Sequence, residues 1–322
     1  MKAVVNRCGL ELRAVALDMM RSIAAEVREE HRNLAEFATS KLPLASRGSI
    51  FVGAGDSYAA ALAGFYASGG SRIALDPYSL AGNPEVAEGL EVFFISASGK
   101  TASNIAAAKR VAPIAKRTTV LTADVTSPLA RLADRVVRLP MAYVPKTPGM
   151  LSFCLSLLAV LKITGEGGPC DFRRAFSLAK QDKRLVASAA GTTYYLGNGL
   201  AYPAALYAAA KDYEFFGAKV HAELLEEFSH LELFSLERRD LVDVFSAFDP
   251  SGMAPKLAEA LRGAGYQARV IPRRGTSKVE QIFHAVFVTQ LAILDRAAKE
   301  GLSEPKFLSS GGRLKASDMM IY

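Results

Sequence analysis

The run "SASGKT", Ser96 to Thr101, gathers the residue types that hold a phosphate: Ser96, Ser98, Gly99, Lys100 and Thr101. An apolar run, "VFFI", precedes it and an Ala-rich helical pattern follows. Short hydroxyl side chains and backbone N–H groups at a helix start suit one phosphate group, because the amides there lack partners and the helix dipole favours an anion. The letters Gly-Lys-Thr also end a nucleotide-binding P-loop. That loop needs a further glycine five residues earlier so that the backbone can wrap a diphosphate, and Phe94 stands at that place. ATP is therefore not the expected ligand. Taken alone, the run fits either a single-phosphate cradle or an ordinary helix cap with a glycine turn.

Other groups able to do chemistry are few. Glu214 closes an Ala-rich helical run one turn beyond Lys211, a place that also suits a solvated carboxylate. The four histidines, His31, His221, His230 and His284, have no paired spacing and give no metal-site signature. "FHAVFV" sets His284 inside an apolar helix, as a packed ring; His31 is expected to be exposed on an N-terminal helix. Cys8, Cys154 and Cys170 lack the spacing of a zinc site or a disulfide framework, which fits a reducing cytoplasm.

The elements that must position these groups repeat. "FVGAGDSYAAAL", from Phe51, and "YLGNGLAYPAAL", from Tyr195, align at a constant offset, so that Gly53 and Gly55 match Gly197 and Gly199, and Tyr58 matches Tyr202. In each copy a short apolar strand ends in glycines and a helix follows. The third glycine of a dinucleotide fingerprint is replaced by Tyr58 and Tyr202, which argues against NAD or FAD. Strands are expected at "RIALD", "LEVFFIS", "TTVLTAD" and "RVVRLP" in the first half, then "LVDVFSAFD" and "QARVIPR" in the second. A long helix, "KVEQIFHAVFVTQLAILDRAAK", comes last. Strands alternating with helices imply parallel sheets covered on both faces. The expectation is an α/β chain of two similar three-layer halves, 47–165 and 171–322, behind an N-terminal helical arm over 1–46, with "TGEGGPCD" as linker. In the second half "FSAFDPSG" replaces the phosphate-friendly run, and Asp249 there would repel phosphate, so one site per chain is expected.

Composition sets outer limits. The 322 residues are 50% hydrophobic, enough for a sizeable core, and carry a formal net charge of +7. The basic residues are scattered, tryptophan is absent and no aromatic-rich nucleic-acid module is visible; an anionic small molecule is the expected partner rather than nucleic acid. The opening "MKAVVNRCGLELR" has no leader-like apolar core, and "MLSFCLSLLAVL" is too short for a bilayer and reads as a buried helix. A cytoplasmic protein is expected.

The two glycine turns, "SASGKT" and "TADVTSPLARLADRVVRLP" together resemble the sugar isomerase (SIS) domain proteins, two tandem flavodoxin-like halves that bind phosphorylated sugars. The family usually has Glu or Asn where Lys100 stands. Lys211 and Glu214, followed by "HAE" at His221 and then by Glu227 and His230, resemble the isomerase part of glucosamine-6-phosphate synthase, although Leu231 and Glu232 replace its Gly-Pro. The synthase and deaminase type has a lysine five residues after a tail proline; counted from Pro305 that place is Ser310. Lys315 stands ten residues after Pro305, as in the archaeal phosphoglucose/phosphomannose isomerase type.

The resemblance implies a hexose-6-phosphate aldose–ketose isomerase working through a cis-enediol, without metal or cofactor. By it, Gly53, Gly55 and Ser57 line the sugar site, and Ser96, Ser98 and Thr101 hold the phosphate, with Lys100 an added charge. Glu214 is the base, His230 opens the ring, and Lys315 or Lys306 stabilises the enediolate oxygen. Without it, His230 also reads as a hydrogen-bonded core histidine and the lysines as a basic tail. A homodimer with the site near its interface is implied. Alternatives are a glucosamine-6-phosphate deaminase, a fructosamine-phosphate deglycase, and a non-catalytic sugar-phosphate sensor.

Overall fold

The structure, a computed structural model, describes residues 2–183 and 190–321, with side chains from residue 19 onward. It opens with α1 (Lys2–Ala38), the expected arm. The first half runs β1 (Ile50–Val52), α2 (Asp56–Ala67), β2 (Ile73–Leu75), α3 (Pro77–Gly82), β3 (Glu91–Ile95), α4 (Ala102–Val111), β4 (Arg117–Thr122), β5 (Arg135–Arg138) and α5 (Leu151–Ile163). The second runs α6 (Phe172–Asp182), β6 (Thr193–Leu196), α7 (Ala201–Phe216), β7 (Val220–Glu223), α8 (Leu225–His230), β8 (Leu241–Phe245), α9 (Met253–Gly263), β9 (Gln267–Ile271), α10 (Lys278–Lys299) and α11 (Gly312–Ile321).

Two all-parallel sheets result, ordered β2-β1-β3-β4-β5 and β7-β6-β8-β9. The first order is that of flavodoxin-like folds, in which ligands bind beyond the carboxyl ends of the strands, where the winding reverses. The second repeats it one strand short among the described residues.

Local chemistry sets the boundaries. All of β3 is buried, as its unbroken apolar run requires in a sheet covered on both faces. Helix α4 stops two residues before Pro113. Ser277 caps α10 by accepting from the Glu280 amide, and Gly217, at φ 57°, ends α7 in the left-handed conformation. Strand β7 escaped the sequence reading: Val-His-Ala-Glu offers only two apolar residues at a sheet edge, too few to show a period.

The paired glycines perform the same two tasks in both copies. A Cβ on Gly53 would lie 2.5 Å from the Ser57 backbone, and one on Gly197 would lie 2.6 Å from the Ala201 carbonyl oxygen, so each lets a helix start close above its strand. Gly55 and Gly199 take φ of 57° and 55°, a region open chiefly to glycine. The halves meet along their inner helices: α2 packs on α5 and α7, α7 on α10, and α10 on α6, with α1 against α5 and α6. One continuous apolar core therefore runs through both halves. The Phe153 and Tyr207 rings, one from each half, stack in it with centroids 4.1 Å apart. Smaller cores cover the outer face of each sheet.

Candidate active site

Strands β1 and β3 are neighbours in register, Val52 beside Phe94, so the loops leaving their carboxyl ends are neighbours too. The β3 loop is the Ser96–Thr101 run. Ser96 and Ser98 are buried, at 4% and 7% exposure. Ser96 Oγ accepts from the Gly99 amide at 3.1 Å, and Ser98 Oγ accepts from the Lys100 amide at 3.2 Å. Gly99 has φ 61°, and a Cβ there would lie 2.0 Å from Ser127 Oγ, so the loop folds flat against "TSPLA" only with glycine. Thr101 precedes α4 without a side-chain cap bond, its hydroxyl 3.5 Å from Ser96 Oγ, so its side chain leaves the first α4 amides uncapped. Lys100 is exposed, and its Nζ lies 3.6 Å from Asp124 Oδ2.

The matching loop after β8 is closed by its own acid. Asp249 accepts from the Ala254 amide at 2.7 Å in the first turn of α9 and also from Ser251 Oγ. Burial works to raise its pKa, but these bonds prevail and hold the carboxyl below its usual range. The amides that a phosphate would use are engaged by an internal carboxylate.

The β1 loop leads into α2, whose first residue, Asp56, reaches into the second half. Its Oδ2 accepts from Lys211 Nζ at 2.7 Å, and Lys211 also donates to Glu214 Oε2 at 2.6 Å. The Lys211 side chain is wholly buried. Asp56 and Glu214 keep 20% and 31% of theirs exposed, so a ligand can reach the carboxylates and not the ammonium. Burial opposes the Lys211 charge, yet Asp56 and Glu214 outweigh it and raise its pKa. Glu214 is pushed up to about 7, chiefly by burial and also by Asp56, against the pull of Lys211. A carboxyl at this value can take and return a proton near neutral pH. The other oxygen of Asp56, Oδ1, is buried without a partner. Asp56, with Gly55, Tyr58, Tyr213 and His221, lines a cavity of about 350 Å³ between α2 and α7.

Of the expected residues, Gly53 and Gly55 lie in the turn between β1 and α2, and Ser57 lies in the first turn of α2. His230 ends α8 with its side chain 71% exposed, 3.2 Å from Glu226 Oε1, and has no bond to the Asp56–Lys211–Glu214 group. It is a surface histidine rather than a core one. His284 is buried on α10, 3.1 Å from Asp182 Oδ2, as a packed ring. His31, expected on the surface, is only partly exposed and stacks on Phe176 at 4.9 Å. Lys315 is exposed on α11, a helix held by the Lys146–Asp318 ion pair at 2.9 Å. Lys306 enters differently: its amide donates to the Phe215 carbonyl, and the Phe307 amide donates to that of Glu214 at 3.1 Å. The tail thus closes the helix that carries Glu214.

Two groupings were not anticipated from sequence. Asp56 is one; its signal was the repeat, which puts Leu200 at the same place in the second copy. The other is His221, Glu223 and Glu232, whose ligand-type atoms lie within 4.8 Å of one another. His221 Nδ1 lies 2.7 Å from Glu232 Oε1, and Glu223 Oε1 accepts from the Leu224 amide.

No family model and no curated protein matches the chain by sequence. Solved structures do match. A glucosamine-6-phosphate deaminase from Thermotoga maritima superposes with a TM-score of 0.73 at 18% identity, over 87% of this chain and 95% of that one. A tagatose-6-phosphate ketose/aldose isomerase from Escherichia coli gives 0.64 at 19% identity, over 90% and 92%. The C-terminal domain of a glucosamine-fructose-6-phosphate aminotransferase from Francisella tularensis gives 0.64 at 13%, over 87% and 96%. The chain shares the fold of these structures.

Proposed function

We propose that this protein is a sugar-phosphate aldose–ketose isomerase acting on a hexose-6-phosphate. The observation that carries the reading is Glu214, a carboxyl poised near pH 7 beside a buried lysine and linked through Asp56 to the loop next to a single-phosphate cradle. The Ser96, Ser98 and Thr101 hydroxyls with the α4 amides take the phosphate. Glu214 removes the C2 proton of the open-chain aldose, giving a cis-enediol, and returns a proton to C1 as the ketose forms; the reverse reaction exchanges the two carbons. Lys315 or Lys306, carried by the tail that closes α7, offsets the charge developing on the oxygen. His230 opens the sugar ring, and because it stands apart from Glu214 within one chain, it does so across a homodimer interface.

The fold likeness to a glucosamine-6-phosphate deaminase favours a second reading, in which the same base leads to loss of an amine. Incubation in D2O with a panel of hexose-6-phosphates and with glucosamine-6-phosphate tests both. Deuterium entering C2 of one hexose phosphate, abolished in Glu214→Gln, is the expected result. Ammonia release from glucosamine-6-phosphate with no exchange in any hexose-6-phosphate would select the deaminase, and no exchange in any hexose-6-phosphate would overturn the isomerase.

A further inference from the structure

Lys211 is shared between carboxylates of two different halves, and the two are not equivalent. Glu214 sits one turn away on the same helix, where any helix brings two side chains within reach of each other. Asp56 arrives from the other half of the fold, 155 positions away in sequence. It is the first residue of α2, and its Oδ2 is so close to Gly149 that a Cβ there would lie 2.4 Å away. The α2 helix start and the Gly149 approach therefore fix where this carboxylate stands. Both carboxylates bond one nitrogen, so their oxygens can be no further apart than the two bonds laid end to end.

We propose that Asp56 is a positioning residue for the proton transfer: by holding the buried Lys211 ammonium from the opposite side, it stops that charge from being committed wholly to Glu214 and keeps Glu214 basic enough to take a carbon-bound proton. This rests on Glu214 being the base. Without Asp56, Lys211 would pair with Glu214 alone in a buried setting, and a carboxylate in such a pair is a poor base. With Asp56, the group carries one net negative charge, and a proton arriving on Glu214 leaves an intact Asp56–Lys211 pair behind. The repeat shows that the group is assembled from both copies: Leu200 stands in the second copy where Asp56 stands in the first, and Ala67 and Gly70 stand in the first where Lys211 and Glu214 stand in the second.

Of the surrounding charged groups, those on α7, α10 and β7 are engaged elsewhere, and two basic groups of the tail lie nearby. On α7, Asp212 accepts from Tyr195 and from Arg296 of α10, and Arg296 also binds Glu300. From the β7 side His221 is paired with Glu232. The tail brings Lys306 and Arg313 to a cavity beside Tyr213. Tyr207 contributes its ring, 5.1 Å from Lys211 Nζ.

The test compares wild type with Asp56→Asn, which keeps an acceptor for Lys211 and removes the charge, and with Asp56→Glu. The titration of Glu214 is followed by carboxyl carbon NMR, assigned by difference from Glu214→Gln, alongside the pH profile of kcat/KM for exchange. Asp56→Asn is expected to lower the Glu214 midpoint by about one pH unit, the effect of removing a like charge at this range. The acid limb of the profile should move with it, the plateau should fall, and Asp56→Glu should restore part of both. An unchanged Glu214 midpoint in Asp56→Asn overturns the proposal. The NMR midpoint does not need turnover, so if Glu214→Gln stays active the base assignment fails separately.

Discussion

Glu30, on the inner face of α1, makes stability depend on pH in a direction opposite to that of an ordinary surface acid. Its side chain is fully buried among Gln290, Tyr207 and Cys154. Burial is the main force raising its pKa from 4.5 to about 8, with Glu26 adding a little and bonds to Cys154 and Gln290 opposing. The folded protein therefore holds a proton that the unfolded chain releases. The stability linked to that proton is complete below pH 4.5, declines as the pH rises, and is lost once the pH passes about 8. The slope is about 1.4 kcal/mol per pH unit between the two values, a loss of roughly 4 kcal/mol from pH 5 to pH 8 against a typical total of about 5–15 kcal/mol.

In Glu30→Gln this term is absent. The amide carries two N–H hydrogens where the protonated acid has one O–H, and a second hydrogen left unpaired in this buried place costs about 1–3 kcal/mol at pH 5. Urea denaturation at pH 5, 6, 7, 8 and 9 should show wild type the more stable at the acid end and the variant at the alkaline end, with curves that cross. Glu214 and Asp243, both raised to about 7, also bend the wild-type curve but cancel in the difference. A stability difference that is the same at every pH would refute the reasoning.

Lys211→Met should destabilise by about 3 kcal/mol in urea denaturation, the low end for breaking a buried pair, because Asp56 and Glu214 are partly exposed and Glu214 can take up a proton; no loss would mean that the bridge does not form. Gly99→Ala should cost about 2 kcal/mol and weaken inorganic phosphate binding at least tenfold in calorimetry, through the φ of 61° and the clash with Ser127. Adding Ser127→Gly should recover only the clash. Lys100→Gln should change the KM for a sugar phosphate less than threefold, since the ammonium is half exposed and engaged with Asp124; a tenfold rise would place it on the phosphate.

Much of the frame could be read from order alone, because its causes are local. The glycine turns, the buried run of β3 and the Ser277–Glu280 start of α10 each depend on residues a few positions apart. The Ser96–Thr101 loop between β3 and α4 was legible for the same reason. Strand β7 was not, being too short to show a pattern. The Asp56–Lys211 bond joins residues 155 apart, and nothing in either neighbourhood requires it. It could be suspected only from the asymmetry of the repeat. The place of His230 depends on where a six-residue helix ends on the surface, which packing decides rather than propensity.

The bonds from Lys306 and Phe307 to the carbonyls of Phe215 and Glu214 have a consequence for the order of synthesis. A ribosome finishes α7 long before it reaches residue 307. Until then the last carbonyls of the helix that carries the base have only water as partners, and its end is free to fray. The phosphate-type loop, made of residues close in sequence, can form early on the nascent chain. On the proposed assignment, the residue that serves as base takes up its final setting after the loop that would take the phosphate has formed.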